Sequence, residues 1–185
     1  TEEGPFAFEG KHYHFEYVNT WPRPYQQPHP PIWCPSQGSS ETIKWAAHPD
    51  RKYTYLQTYS AFDSVLRYLN SYRAAARDLY GYAATSKQIA WCTPAYVADT
   101  DAQAIDEARP HIETMFNKLL PKISQSMFVP PGYMSNESMK QIFAHKATLR
   151  GGQTIEDMIA RGVIAVGSPD TVRSILSERH RQAGF

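Results

Sequence analysis

The hydrophobic pattern along the chain changes rhythm at about residue 30. Before it, Phe6, Phe8, His12, His14 and Tyr17 mix aromatic and polar positions around Glu9–Gly10, a turn signal that predicts a β-hairpin. Pro22, Pro24, Pro28, Pro30 and Pro31 follow, each removing a backbone donor and biasing its predecessor to extended geometry. Residues 1–30 therefore read as a hairpin and a stiff proline-rich arm. After the arm, short apolar runs alternate with helical stripes. Strands are expected at Ile32–Cys34, Tyr53–Leu56, Gln88–Cys92 and Val163–Val166. A helix is expected from about Ser39 to Ala47. A long helix follows, with Phe62, Val65, Leu66, Leu69 and Tyr72 on one face and Ser60 with Asp63 as its capping arrangement. A third helix carries the stripe Ile105, Ala108, Ile112, Met115, Phe116 and Leu119.

Residues 121–152 break this rhythm and read as an insertion, with a turn at Val129–Tyr133, a short helix from Ser135 to His145 and a hinge at Gly151–Gly152. Thr154 to Arg161 is a further short helix with Thr154 and Asp157 as caps. After the last strand, Ser168 caps a helix with Pro169 at its first position, and Val172, Ile175 and Leu176 form its buried face. Strand, loop and helix repeated four times predict βα units and a parallel sheet. A whole (β/α)₈ barrel needs about 250 residues, so a partial barrel of roughly the last four βα units is the expected α/β fold. The expected organisation is one domain: the arm over 1–30, three βα units over 31–120, the insertion, and the last unit over 153–185.

Composition narrows the function classes. The chain has 185 residues, 42% hydrophobic and 13% aromatic, enough apolar mass for a core. Lys and Arg number 19 against 18 Asp and Glu, so no basic excess recommends nucleic acid or an anionic membrane as a partner. No apolar run reaches the length of a membrane span, and the first residues lack the pattern of a signal peptide. Cys34 and Cys92 match neither a disulfide framework nor a zinc spacing. A cytoplasmic setting and two buried, inert cysteines are the expectation.

The most chemical stretch is Gly38-Ser39-Ser40-Glu41-Thr42, which follows a strand and opens a helix. Free amides, the positive end of the helix dipole and the hydroxyls of Ser39 and Thr42 suit a phosphate. Ordinary capping by Ser39 or Ser40 accounts for the same residues, and Glu41 is expected to point away. Gly167–Ser168 offers a second set of amides, with N-capping as the simpler reading. His12 and His14, two apart, would share a strand face, but no third ligand has helpful spacing and no metal is expected. His29 and the Pro28–Pro31 motif read as parts of a connector. Trp33, Trp45, Trp91, Tyr55 and Tyr59 can wall a ligand or fill a core.

Gly10-Lys11-His12-Tyr13-His14-Phe15, then Pro22 to Trp33, resembles the middle of bacterial luciferase-like flavin monooxygenases. Gly38 to Ala47 is similar to the family's fifth strand-to-helix turn, and Gly167 to Val172 followed by Ala183-Gly184-Phe185 to its last βα unit. The resemblance covers nearly the whole chain and implies a TIM barrel of which the first half is absent. It implies that Gly38, Ser39 and Thr42 grip the phosphate of FMN. The implied activity is oxygenation of a small organic substrate with O₂ and reduced FMN from a separate flavin reductase, the fragment alone being inactive. Alternatives are hydride transfer with the deazaflavin F420 on a related barrel, or a non-catalytic half-barrel that works through self-association or a partner. No residue is assigned as general acid or base.

Overall fold

The computed structural model describes residues 4–123, 135–140 and 152–185. The chain divides into two units, Thr1–Ile32 and Trp33–Phe185. In the first, strands β1 (Phe6–Glu9) and β2 (His14–Val18) pair antiparallel, with Phe8 opposite Phe15 and Glu9 opposite His14. The turn closes where the Gly10 amide donates to the Tyr13 carbonyl at 2.9 Å. Tyr13 stacks on Phe15 with centroids 6.2 Å apart, and His14 Nδ1 lies 2.5 Å from Glu9 Oε2. His12 sits in the turn, so it does not share a strand face with His14. Residues 19–32 form no helix or strand, as five prolines dictate, and the Trp21–Pro22 and Gln27–Pro28 peptide bonds are cis.

The second unit holds the βα succession. Strands β3 (Trp33–Ser36), β4 (Thr54–Thr58) and β5 (Ile89–Cys92) pair in parallel in that order, with Cys34 opposite Tyr55 and Gln57 opposite Trp91. Strands β6 (Ala95–Val97) and β7 (Ala165–Gly167) form a second parallel pair. Only Thr93 and Pro94 separate β5 from β6, and the Ala165 amide bonds the Pro94 carbonyl at 2.9 Å. The two are legs of one strand, interrupted where proline lacks a donor. Helices α1 (Ser40–Ala47), α2 (Phe62–Asp78), α3 (Asp101–Thr114), α4 (Ile155–Ala160) and α5 (Pro169–Ala183) complete the set.

Helix α2 forms because its apolar residues recur at helical spacing, and it buries Phe62, Val65, Tyr68, Leu69, Tyr72, Ala75 and Ala76. Tyr55 of β4 stacks on Tyr72 with centroids 5.6 Å apart, and the Tyr72 hydroxyl donates to the Tyr53 carbonyl at 3.0 Å. Ile43, Ala46 and Ala47 of α1 and Ile89 of β5 close this first core. A second core joins Ala104 and Ala108 of α3, Phe116 of the π-helical turn after it, Ile155 and Met158 of α4, and Val163, Ile164 and Val166. Arg109 clamps α3 to α4 through both oxygens of Glu156, at 3.0 and 2.5 Å. The cores adjoin at Ala61, packed on the second, and Phe62 of the first, whose amide donates to the Arg161 carbonyl at 3.0 Å and whose ring lies 4.0 Å beneath the Arg179 guanidinium.

Several expectations need correction. Strand β6 was not anticipated, because Pro94 splits the apolar run. The last strand begins at Ala165, since the Val163 amide turns back to the Met158 carbonyl at 2.9 Å. Ser60 does not cap α2; its hydroxyl donates to the Thr58 carbonyl, and Ala61 holds the cap position without a side-chain bond. Leu119 and Leu176 face solvent. Cys92 is exposed rather than buried, whereas Cys34 is half-buried, and burial pushes its thiol pKa up. Thr154 and Ser168 cap α4 and α5 as expected. The turn at 129–133 lies outside the described residues, as do 141–145 of the expected helix and Gly151; residues 136–140 are helical.

Leu69→Ala empties a fully buried position and is expected to cost about 2–5 kcal/mol, whereas Leu79→Ala, at an exposed site, should stay within about 0.5 kcal/mol. Urea unfolding of the two variants checks both. The Arg109 hydrogen bonds hold the Glu156 carboxyl down at about 2, against 4.5 for the free group. A depressed carboxylate contributes stability above its unfolded value and loses it as pH falls through the folded one. Thermal melts of wild type and Glu156→Gln should therefore differ most above pH 4.5 and converge toward pH 2.

Candidate functional site

Parallel strands bring their C-terminal ends to one edge, where the following turns cluster. Here those ends are Ser36 of β3, Thr58 of β4, Cys92 of β5 and Gly167 of β7. Gln37 spans the first two, its Nε2 donating to Thr58 Oγ1 at 3.2 Å. Tyr59, just past β4, has φ +51°, a conformation that costs a residue with a side chain, and its ring meets Phe116 edge-on at 6.3 Å.

The turn from β3 to α1 contains all three residues expected to bind phosphate. Gly38 has φ +99°, and a Cβ there would lie 2.2 Å from Cζ of Tyr68. Glycine is thus required by backbone geometry and by the Tyr68 ring packed beneath the turn. Ser39 is the N-cap of α1, and its hydroxyl accepts from the Thr42 amide at 3.3 Å. The Thr42 hydroxyl lies 3.4 Å from it and donates to it. The capping reading is therefore realised, and the hydroxyls of Ser39 and Thr42 stand together as the phosphate reading also needs.

Glu41 does not point away. Its carboxylate accepts from the Ser39 hydroxyl at 2.8 Å, the Ser138 hydroxyl at 2.7 Å and the Ser135 amide at 3.1 Å. These hydrogen bonds, with that from Ser135 foremost, hold its pKa far below the ordinary carboxylate value. The dipole of α1 favours a carboxylate in its first turn. The turn thus already gathers an anion. Ser138, fully buried, also lies 3.2 Å from the Ser40 hydroxyl and 3.4 Å from the Ser40 amide. Nothing in the spacing of Ser135 and Ser138 announces this contact, which joins positions 94 and 97 apart.

The second turn, Gly167–Ser168, is filled differently. Asp101 accepts from the Ser168 amide at 2.6 Å and the Thr171 hydroxyl at 3.0 Å, ties that lower its pKa. The N-terminus of α5 is thereby closed by a carboxylate from α3. Of the candidate aromatic residues, Tyr55 belongs to the core and Trp91 packs edge-on to Phe62, while Trp33, Trp45 and Tyr59 are exposed. Among the described residues, no group of three or more His, Cys, Asp or Glu is placed to hold a metal. Among the same residues, no helix is long and apolar enough to cross a membrane.

Alternation along the sheet gives it two unequal faces. Tyr55, Gln57, Cys34 and Ile89 face the helices, whereas Trp33, Pro35, Leu56 and Cys92 lie on the other face, where Trp33 is 55% exposed.

Comparison with solved structures places this architecture. A monooxygenase from Streptomyces bottropensis matches 97% of the chain at TM-score 0.60 and 19% identity. The oxygenating constituent of 3,6-diketocamphane monooxygenase from Pseudomonas putida, a type II Baeyer–Villiger enzyme solved with FMN, matches 98% at TM-score 0.58 and 20% identity. A riboflavin lyase solved with modified FMN and riboflavin matches 98% at TM-score 0.54 and 18% identity. The chain spans 46%, 49% and 42% of these proteins, so its fold is that of roughly half of such a barrel. Comparison with curated proteins gives no match. The model of the luciferase-like monooxygenase family matches residues 1–185. With its parallel βα units and strand-end turns, the chain belongs to that family.

Proposed function

We propose that the chain is part of a flavin-dependent monooxygenase that oxygenates a small organic substrate with O₂ and reduced FMN, the flavin being delivered by a separate reductase. Gly38, Ser39 and Thr42 hold the flavin phosphate. The observation that carries this reading is the convergence of the Ser39 and Thr42 hydroxyls at the N-terminus of α1, on a turn that already holds the Glu41 carboxylate. A phosphate would use the Ser39 donor with that of Thr42 beside it, and carries a larger charge. When bound, reduced flavin supplies the activation of O₂.

The residues of this chain anchor and orient. Gly38 brings the backbone close, Tyr68 fixes the turn from below, and the two hydroxyls donate to phosphate oxygens. Exposed Trp33 and half-buried Leu56 offer apolar surface on the face away from the helices, suited to excluding water beside the isoalloxazine. The openness of that face supports a site completed by the rest of the barrel. Two cysteines without a disulfide suit a cytoplasmic setting.

Titration of FMN and riboflavin by fluorescence quenching tests the phosphate turn. FMN is expected to bind at least about tenfold more tightly than riboflavin, since a charge-assisted contact is worth about 1.5–3 kcal/mol. Ser39→Ala/Thr42→Ala should remove the difference and leave riboflavin binding unchanged. Equal affinities for the two flavins in the wild type overturn the assignment.

A further inference from the structure

We infer that Glu41 is an internal anion that competes with the flavin phosphate and straps residues 135–140 across the turn, an autoinhibitory contact released when a phosphate binds. The inference rests on the reading of that turn as a phosphate site. Glu41 accepts from the Ser39 hydroxyl at 2.8 Å, one of the donors assigned to the phosphate. With its other contacts it holds Ser135 and Ser138, at 3.1 and 2.7 Å. Ser138 in turn covers Ser40, lying 3.4 Å from its amide and 3.2 Å from its hydroxyl. Among the described residues, every hydrogen bond from 135–140 to the rest of the chain goes to Ser40 or Glu41. The polar attachment of this segment is thus made at the phosphate turn.

A carboxylate and a phosphate repel each other and seek the same donors, so they cannot share the turn. Entry of the phosphate must displace Glu41, and Ser135 and Ser138 then lose their acceptor. The Asp101 carboxylate at the other strand-end turn provides a contrast. It joins the starts of α3 and α5, both anchored by buried residues, and so closes that turn as a fixed part of the fold. Glu41 instead reaches a segment 94 to 97 positions away.

The test uses Glu41→Gln, with Ser138→Ala as a second variant that leaves every residue of the turn in place. Hydrogen exchange of the 185-residue chain, read on peptides covering 135–140, should speed up about tenfold or more in both variants without added ligand. Unchanged exchange in both overturns the strap. A competing closed state lowers apparent affinity by the fraction that is open, so both variants should bind FMN several-fold more tightly while riboflavin affinity stays the same. Adding FMN to wild type should likewise accelerate exchange over 135–140; FMN bound with that segment still protected overturns the competition. Where FMN binds no tighter than riboflavin in wild type and in both variants, the phosphate reading itself fails, whatever the exchange shows.

Discussion

Packing of α2 against the β3–β4–β5 sheet is the contact on which the rest of the second unit depends. Val65, Leu69 and Tyr72 are fully buried there, and Tyr72 both stacks on Tyr55 and bonds the Tyr53 carbonyl. One turn earlier, the same face sends Tyr68 under Gly38, so the helix that builds the core also sets the height of the turn. Its first residue, Phe62, ties the sheet to the end of α4 through the Arg161 carbonyl and to α5 through Arg179. Core, turn and inter-core contact are therefore not independent features but three consequences of one helix lying in one place.

The two strand-end turns show how a parallel βα protein deals with its own helix dipoles. Each N-terminus gathers donors that seek an anion. At α5 the fold supplies Asp101 from a neighbouring helix, and the donors are satisfied by that exposed carboxylate. At α1 the carboxylate is local and its remaining bonds go to a distant segment. Similar local sequences, a serine cap after a glycine, thus end in different chemical states because of what the tertiary structure brings opposite them.

Much of the fold was legible because it rests on short-range signals. Helical stripes located α2, α3 and α5, the glycine and serine turn after β3 announced α1, Glu9–Gly10 located the hairpin turn, and Ser168–Pro169 marked a helix start. What escaped depends on partners remote in sequence. Strand β6 becomes visible only when β7 pairs with it, since Pro94 makes the run look broken. Ser60 resembles a cap but finds the Thr58 carbonyl closer to hand. At the candidate site, the order Gly38-Ser39-Ser40-Glu41-Thr42 announced a capped helix start, and Ser39 caps α1. Tyr68 beneath them and Ser138 above them were not legible, because neither contact leaves a trace in local spacing.

Proline in β3 has a consequence for how that strand can be paired. Among the described residues β3 is an outer strand of its sheet, and an outer strand with a full row of donors invites pairing. Pro35 removes one donor from that row. Any strand laid along that edge, from the rest of a barrel or from another molecule, therefore meets a gap in the ladder at Pro35.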